Sequence, residues 1–114
     1  MKDKFTLRHM LKYCIQIDET LENYNRNQEE FFNSHIFRNA ISMLIFQIGE
    51  LANHLTDEYV ENTVNEMPWY EIIGMRNHFA HGYIKMDNNK IWDTAINDIP
   101  VLKKFCEKEI DKLG

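Results

Sequence analysis

Within the nine residues Met75-Arg76-Asn77-His78-Phe79-Ala80-His81-Gly82-Tyr83 stand an arginine, an asparagine, two histidines and a tyrosine. These types bear on phosphate chemistry. A guanidinium matches the geometry of a phosphate and stabilises the charge that builds on it in a transition state. A histidine titrates near neutral pH, so it can take a proton from a 2′-hydroxyl or give one to a leaving oxygen. At about 100° per residue on a helix, Arg76 and Tyr83 fall on one stripe, which runs back through Ile72 or Ile73 to Trp69 and puts the arginine on the buried seam. His81 lies about 140° round from Arg76 on a straight helix. The two converge on one ligand only if the helix loosens or ends near His81, and Gly82 offers such an ending. Asn77 and His81, four apart, share a face.

Four chemistries compete for this cluster. Arg76 can be structural, paired with a carboxylate from another helix; Glu50, which interrupts an apolar run, is the obvious partner. A metal site can be drawn from His78 with His81 and Glu50 with His54, but a di-iron bundle needs several Glu-x-x-His ligands on facing helices. That pattern is missing, so neither metal nor cofactor is expected. The third possibility is metal-free phosphoryl transfer on RNA, for which one chain supplies few groups. Two chains meeting here would supply two arginines and two histidines, enough for separate base and acid roles. The fourth is binding alone, the cluster gripping a nucleotide or a partner protein.

The elements that must position the cluster follow from the rest of the chain. At 114 residues it makes one domain, residues 1–114, with room for one core. No secretion leader and no apolar run of membrane-spanning length is present, which predicts a soluble cytoplasmic protein with no membrane partner. Cys14 and Cys106 sit at apolar-stripe positions without metal-type spacing and read as buried free thiols. The net charge of −5 argues at first against a nucleic-acid partner. Its distribution argues the other way. No acid occurs from Ile72 through Met86, while acids crowd Asp18 to Glu30 and Asp57 to Glu66.

Residues 5–24 carry Leu7, Met10, Leu11, Cys14, Ile17, Leu21 and Tyr24 at three- and four-residue intervals, an amphipathic helix. A polar connection follows over 23–28, with a helical turn at 29–33 offering Phe31 and Phe32 to the core. Ser34 reads as the N-cap of the longest periodic run, from Ile36 to Leu55. That run is apolar over so much of its girth that it is central in a bundle or also faces a second subunit. Thr56 or Asp57 opens a short acidic helix to about Asn65. Pro68 suits the first turn of the next long helix, in which Gly74 is expected to allow a close helix approach. Residues 84–89 read as a loop, Ile91 to Ile96 resume helical spacing, and Pro100 marks a fresh start or a kink before the terminal helix. With four main helices and no strand pattern, the fold class is all-α.

The stretch Arg76-Asn77-His78-Phe79-Ala80-His81 resembles the signature of HEPN domains: an arginine, four to six residues, then a histidine, with a polar residue after the arginine, as Asn77 is here. With Tyr83 it is similar to the longer form found in the ribonuclease toxins of HEPN/MNT toxin–antitoxin pairs. Ile48-Gly49-Glu50-Leu51-Ala52, and Pro68-Trp69 followed by Ile73-Gly74-Met75-Arg76-Asn77, are similar to the family's flanking segments. The likeness covers nearly the whole chain. It implies an up-and-down HEPN-type bundle of four to five helices. It also implies a homodimeric, metal-independent endoribonuclease whose site forms where two motifs face each other, with Arg76 and His81 catalytic and Asn77 and His78 supporting. The implied partner is a minimal nucleotidyltransferase acting as antitoxin, which transfers AMP from ATP onto Tyr83. Proteins of this fold also occur as non-catalytic, nucleotide- or partner-binding subunits of nucleotidyltransferase complexes, which is the alternative reading.

Overall fold

The heptad-like set Leu7, Met10, Cys14, Ile17 and Leu21 is completely buried, and it defines the inner face of α1 (Lys2–Asn23). The structure, a computed structural model, describes the backbone of residues 2–82 and 87–114 and the side chains of 2–76 and 87–114. Among the described residues the regular structure is entirely helical. After α1 come α2 (Gln28–Asn33), α3 (His35–Ala52), α4 (Asp57–Thr63), α5 (Trp69–Gly82), α6 (Asn88–Asp93) and α7 (Ile99–Lys112), with a π-helical turn at Thr94–Asp98 joining the last two. Helix α3 is the central rod, flanked by α1 on one side and α5 on the other, and α7 closes against α1.

Several of the short connections are fixed by caps. Asn27 accepts from the Glu30 amide, Ser34 from the Phe37 amide and Thr56 from the Tyr59 amide, satisfying amides that a helix start leaves without partners. Arg38 on α3 donates to the carbonyls of Phe31 and Phe32 at 3.2 and 2.7 Å, so the end of α2 is docked rather than frayed. Asp87 caps α6 through the Asn89 amide, so the helix begins at Asn88, inside the stretch whose composition reads as a loop. The π-turn ends at Asp98, two residues before Pro100, which stands in the first turn of α7. Proline has no N–H for the carbonyl one turn back, and the wider turn absorbs that missing bond.

Two aromatic groups anchor the bundle. At one end Phe31, Phe37, Tyr24 and Trp92 tie α2, α3 and α6 together, with Tyr24 stacked on Phe37 at 4.2 Å. At the other, the fully buried Trp69 meets Phe105 edge-on at 5.6 Å. Its indole N–H donates to the Thr63 hydroxyl at 2.8 Å, and that hydroxyl donates to the Tyr59 carbonyl. The Tyr59 hydroxyl donates to Glu109 Oε1 at 2.7 Å. Burial first, and that hydrogen bond second, push the Tyr59 phenol well above its ordinary value. Asp3, at the start of α1, accepts from the Thr56 amide at 2.9 Å and from its hydroxyl at 2.6 Å, clamping the first helix to the start of α4.

Cys14 and Cys106 are fully buried free thiols, as their stripe positions predict. Burial drives both toward the neutral form, Cys14 from 9.0 up to about 12 and Cys106 also upward, so neither is a ready nucleophile. No described helix is long and apolar enough to cross a membrane. Helix α3 is central, as its broad apolar arc allows, yet it leaves Ile36 and Met43 at 63% and 56% exposure. Those two lie seven residues apart on one stripe, and a further seven residues along it stands Glu50.

Candidate active site

Arg76 is carried by α5, and what fixes α5 is its contact with α3. A Cβ added at Gly49 would sit 3.0 Å from the Arg76 Cβ and 3.1 Å from the Ile72 carbonyl oxygen. The helices therefore touch backbone to backbone at this point, and only a residue without a side chain lets them do so. The close approach expected at Gly74 is not there, since a Cβ at that position would meet nothing within 4 Å. The reason is rotational: Ile72 and Arg76 straddle Gly49, and position 74 lies about 200° from either around the helix. The glycine that matters is on α3, and the sequence signal for it was its place within the longest apolar run.

The residue after Gly49 uses the proximity. Glu50 Oε1 accepts a hydrogen bond from Arg76 Nε in an ion pair whose side chains are 31% and 34% exposed. Partial burial strengthens such a charge-assisted bond relative to a surface pair, while solvent still reaches it. The pairing anticipated for an acid in an apolar helix is thus present, and it changes the electrostatics. The window from Ile72 to Met86 is free of acids along the chain but not in space, because α3 delivers one directly to Arg76.

Asn77, His78 and His81 follow on the same helix, whose backbone stays helical through Gly82. Their side chains, and the whole of Tyr83, lie outside the described residues. Among the described side chains no group of three or more His, Cys, Asp and Glu comes together in a way that could hold a metal ion.

On another side of α5 a pocket of about 160 Å³ opens, lined by Ile45, Ile48, Ile72, Met75 and Leu102 with Glu71 and Asp98 also contributing. Burial, reinforced by Glu71 and Asp93, raises the Asp98 carboxyl above its usual range. Acidic and apolar, this pocket is unsuited to an anion.

Comparison with known proteins agrees with the motif. The HepT-like family, described as "Ribonuclease HepT-like", matches residues 10–109. A protein of Caldanaerobacter subterraneus subsp. tengcongensis, provisionally named an RNase, is 29% identical over 93% of this chain and 92% of its own length. Another provisionally named RNase, from Methanocaldococcus jannaschii, is 32% identical over 68% of this chain and 71% of its own. A Thermococcus cleftensis protein named "Probable ribonuclease HepT" is 29% identical over 79% of this chain and 83% of its own. No solved structure gave a significant match to the chain.

Proposed function

Because this chain belongs to the HepT-like ribonuclease family, we propose that it is a metal-independent endoribonuclease, the toxin of a toxin–antitoxin pair, acting as a homodimer with Arg76 and His81 at a site shared between two copies. The observation that carries this reading is the position of Arg76. It is held by Glu50 at the end of the α3 stripe on which Ile36 and Met43 stay exposed. An apolar stripe ending at a guanidinium suits a two-fold contact that brings two arginines together.

In such a site the 2′-oxygen of one nucleotide bonds to the adjacent phosphorus as the bond from phosphorus to the 5′-oxygen breaks. One His81 takes the 2′-hydroxyl proton, the other gives a proton to the departing 5′-oxygen, and the Arg76 pair stabilises the charge gathered on the phosphoryl oxygens. Asn77 and His78 support substrate placement. The products are a cyclic phosphate and a free 5′-hydroxyl, with no oxidant or metal required. Purified protein should cleave RNA with undiminished rate in EDTA and scatter light as a dimer. A stable monomer at micromolar concentration would reject the shared site; a protein that binds RNA or nucleotide without cleaving RNA would make it a binding subunit.

The antitoxin in this reading is a minimal nucleotidyltransferase, and Tyr83 is its target. The phenol oxygen bonds to the α-phosphorus of ATP, pyrophosphate leaves, and the phenolic proton passes to solvent. Each adenylyl group adds an anionic phosphodiester able to pair with Arg76 where the RNA phosphate would sit. Co-expression with the cognate partner should therefore add one or more AMP units to a peptide containing Tyr83 and silence cleavage. Tyr83→Phe should escape the modification and stay active beside the antitoxin. Intact-mass spectra of unmodified protein in a neutralised co-expression would reject this role for Tyr83.

A further inference from the structure

Arginine is a long side chain, and a guanidinium that must meet a phosphate in one orientation is effective only when its rotamer freedom has already been removed. Here the restraint comes from α3. Gly49 sets the helix spacing, placing its own backbone against the Arg76 Cβ, and the next residue, Glu50, receives the Nε hydrogen. Nε is the inner corner of the fork, so a carboxylate bonded there fixes both the plane of the guanidinium and the direction in which Nη1 and Nη2 point.

We propose that Glu50 is a positioning residue for RNA cleavage: it holds Arg76 by Nε in the orientation that serves the transition state, and Gly49 provides the approach that lets it reach. This rests on the reading of Arg76 as the phosphate-stabilising group. The arrangement has an electrostatic side as well. The Glu50 carboxylate neutralises Arg76 before substrate arrives and repels an incoming phosphate, so it weakens ground-state binding while favouring turnover. Orientation and charge can be separated, because a glutamine keeps the oxygen that accepts from Nε and discards the negative charge.

The test compares Glu50→Gln and Glu50→Ala with the parent protein by steady-state cleavage of a defined RNA, with the Arg76 Nε–H resonance followed by nitrogen-15 NMR. Glu50→Gln should keep kcat within about threefold and lower KM, and its Nε–H should remain protected from exchange. Glu50→Ala should lose about tenfold or more in kcat without a matching rise in KM, and its Nε–H should exchange freely. As a control for loss of an ion pair, Glu66→Gln removes the exposed contact with Lys108 and should leave kcat unchanged. A merely structural Glu50 would lower melting temperature but leave kcat per folded molecule intact in Glu50→Ala, and that result overturns the proposal. So does an Nε–H that stays protected in Glu50→Ala. If Glu50→Ala turns over normally while Arg76→Ala is inactive, positioning falls and the reading of Arg76 stands. If Arg76→Ala itself cleaves as the parent does, both fall.

Discussion

Replacing Arg76 or His81 by alanine should each cut RNA cleavage by about a hundredfold or more, equivalent to roughly 2.7 kcal/mol of transition-state stabilisation, while leaving the protein helical. In the proposed site the loss at Arg76 is that of a charge placed beside the scissile phosphate. In the same proposal the loss at His81 is that of a general acid or base, whose removal costs about 10²- to 10⁴-fold. The Arg76→Ala protein also leaves the Glu50 carboxylate without its cation, so circular dichroism and a melting curve are needed to show that a lost rate is not a lost fold. Comparable growth-arrest assays should lose toxicity in the same variants. His78→Ala should cost less, since His78 lies about 60° round the helix from His81, whereas Asn77 lies about 40° from it. Parent-like cleavage in both alanine variants, or activity abolished by EDTA and restored by a divalent metal, would reject the mechanism.

The largest effect on stability should come from Trp69→Ala, which should destabilise the protein by about 3–5 kcal/mol. The indole is completely buried at the start of α5, meets Phe105 of α7, and donates to Thr63 of α4. Truncation opens a cavity where three helices meet and leaves the Thr63 hydroxyl without its indole donor. Against a total stability of roughly 5–15 kcal/mol for a domain of this kind, the variant should be close to unfolded at physiological temperature. Trp69→Phe, which keeps most of the ring volume but not the N–H, should lose markedly less. Urea titrations at 25 °C measure the difference; a loss under 1 kcal/mol would mean that Trp69 does not hold the start of α5.

Which parts of this structure could be read from sequence depends on the range of the physics involved. Most of the buried set of α1 and the cap Ser34 follow from spacing and local hydrogen bonding; of that set Leu11 and Tyr24 are only partly buried, and of the two candidates Thr56 and Asp57 it is Thr56 that caps α4. Pro100 announces an irregularity but not its form, because a π-turn and a kink satisfy a missing N–H equally well. The choice between Gly49 and Gly74 could not be made locally: both interrupt apolar helices, and which one faces a neighbour depends on the rotation of α5 about its own axis. Asp3 with Thr56, and Tyr59 with Glu109, are separated by 53 and 50 residues, so no periodicity or cap signals them. For the site, Glu50 was legible as Arg76's partner because an acid in an apolar run requires a reason. The roles of Asn77, His78, His81 and Tyr83 rest on the motif and on family membership.

The closing of the bundle by α7 also bears on how the chain is made. The core of α1 is covered by Leu102, Phe105 and Cys106 together with the Lys103 to Asp18 contact, and Tyr59 waits for Glu109. A ribosome adds roughly 5–20 residues per second, so α1 and α3 exist for seconds as a nascent hairpin with one apolar face open to water. In the later part of that interval Arg76 and His81 have been added, but the helix that carries them still lacks the Phe105 ring against which Trp69 settles. Packing of α5 is therefore deferred until translation has passed Phe105 in α7, and a ribosome stalled before that point would leave a nascent chain with apolar surface uncovered.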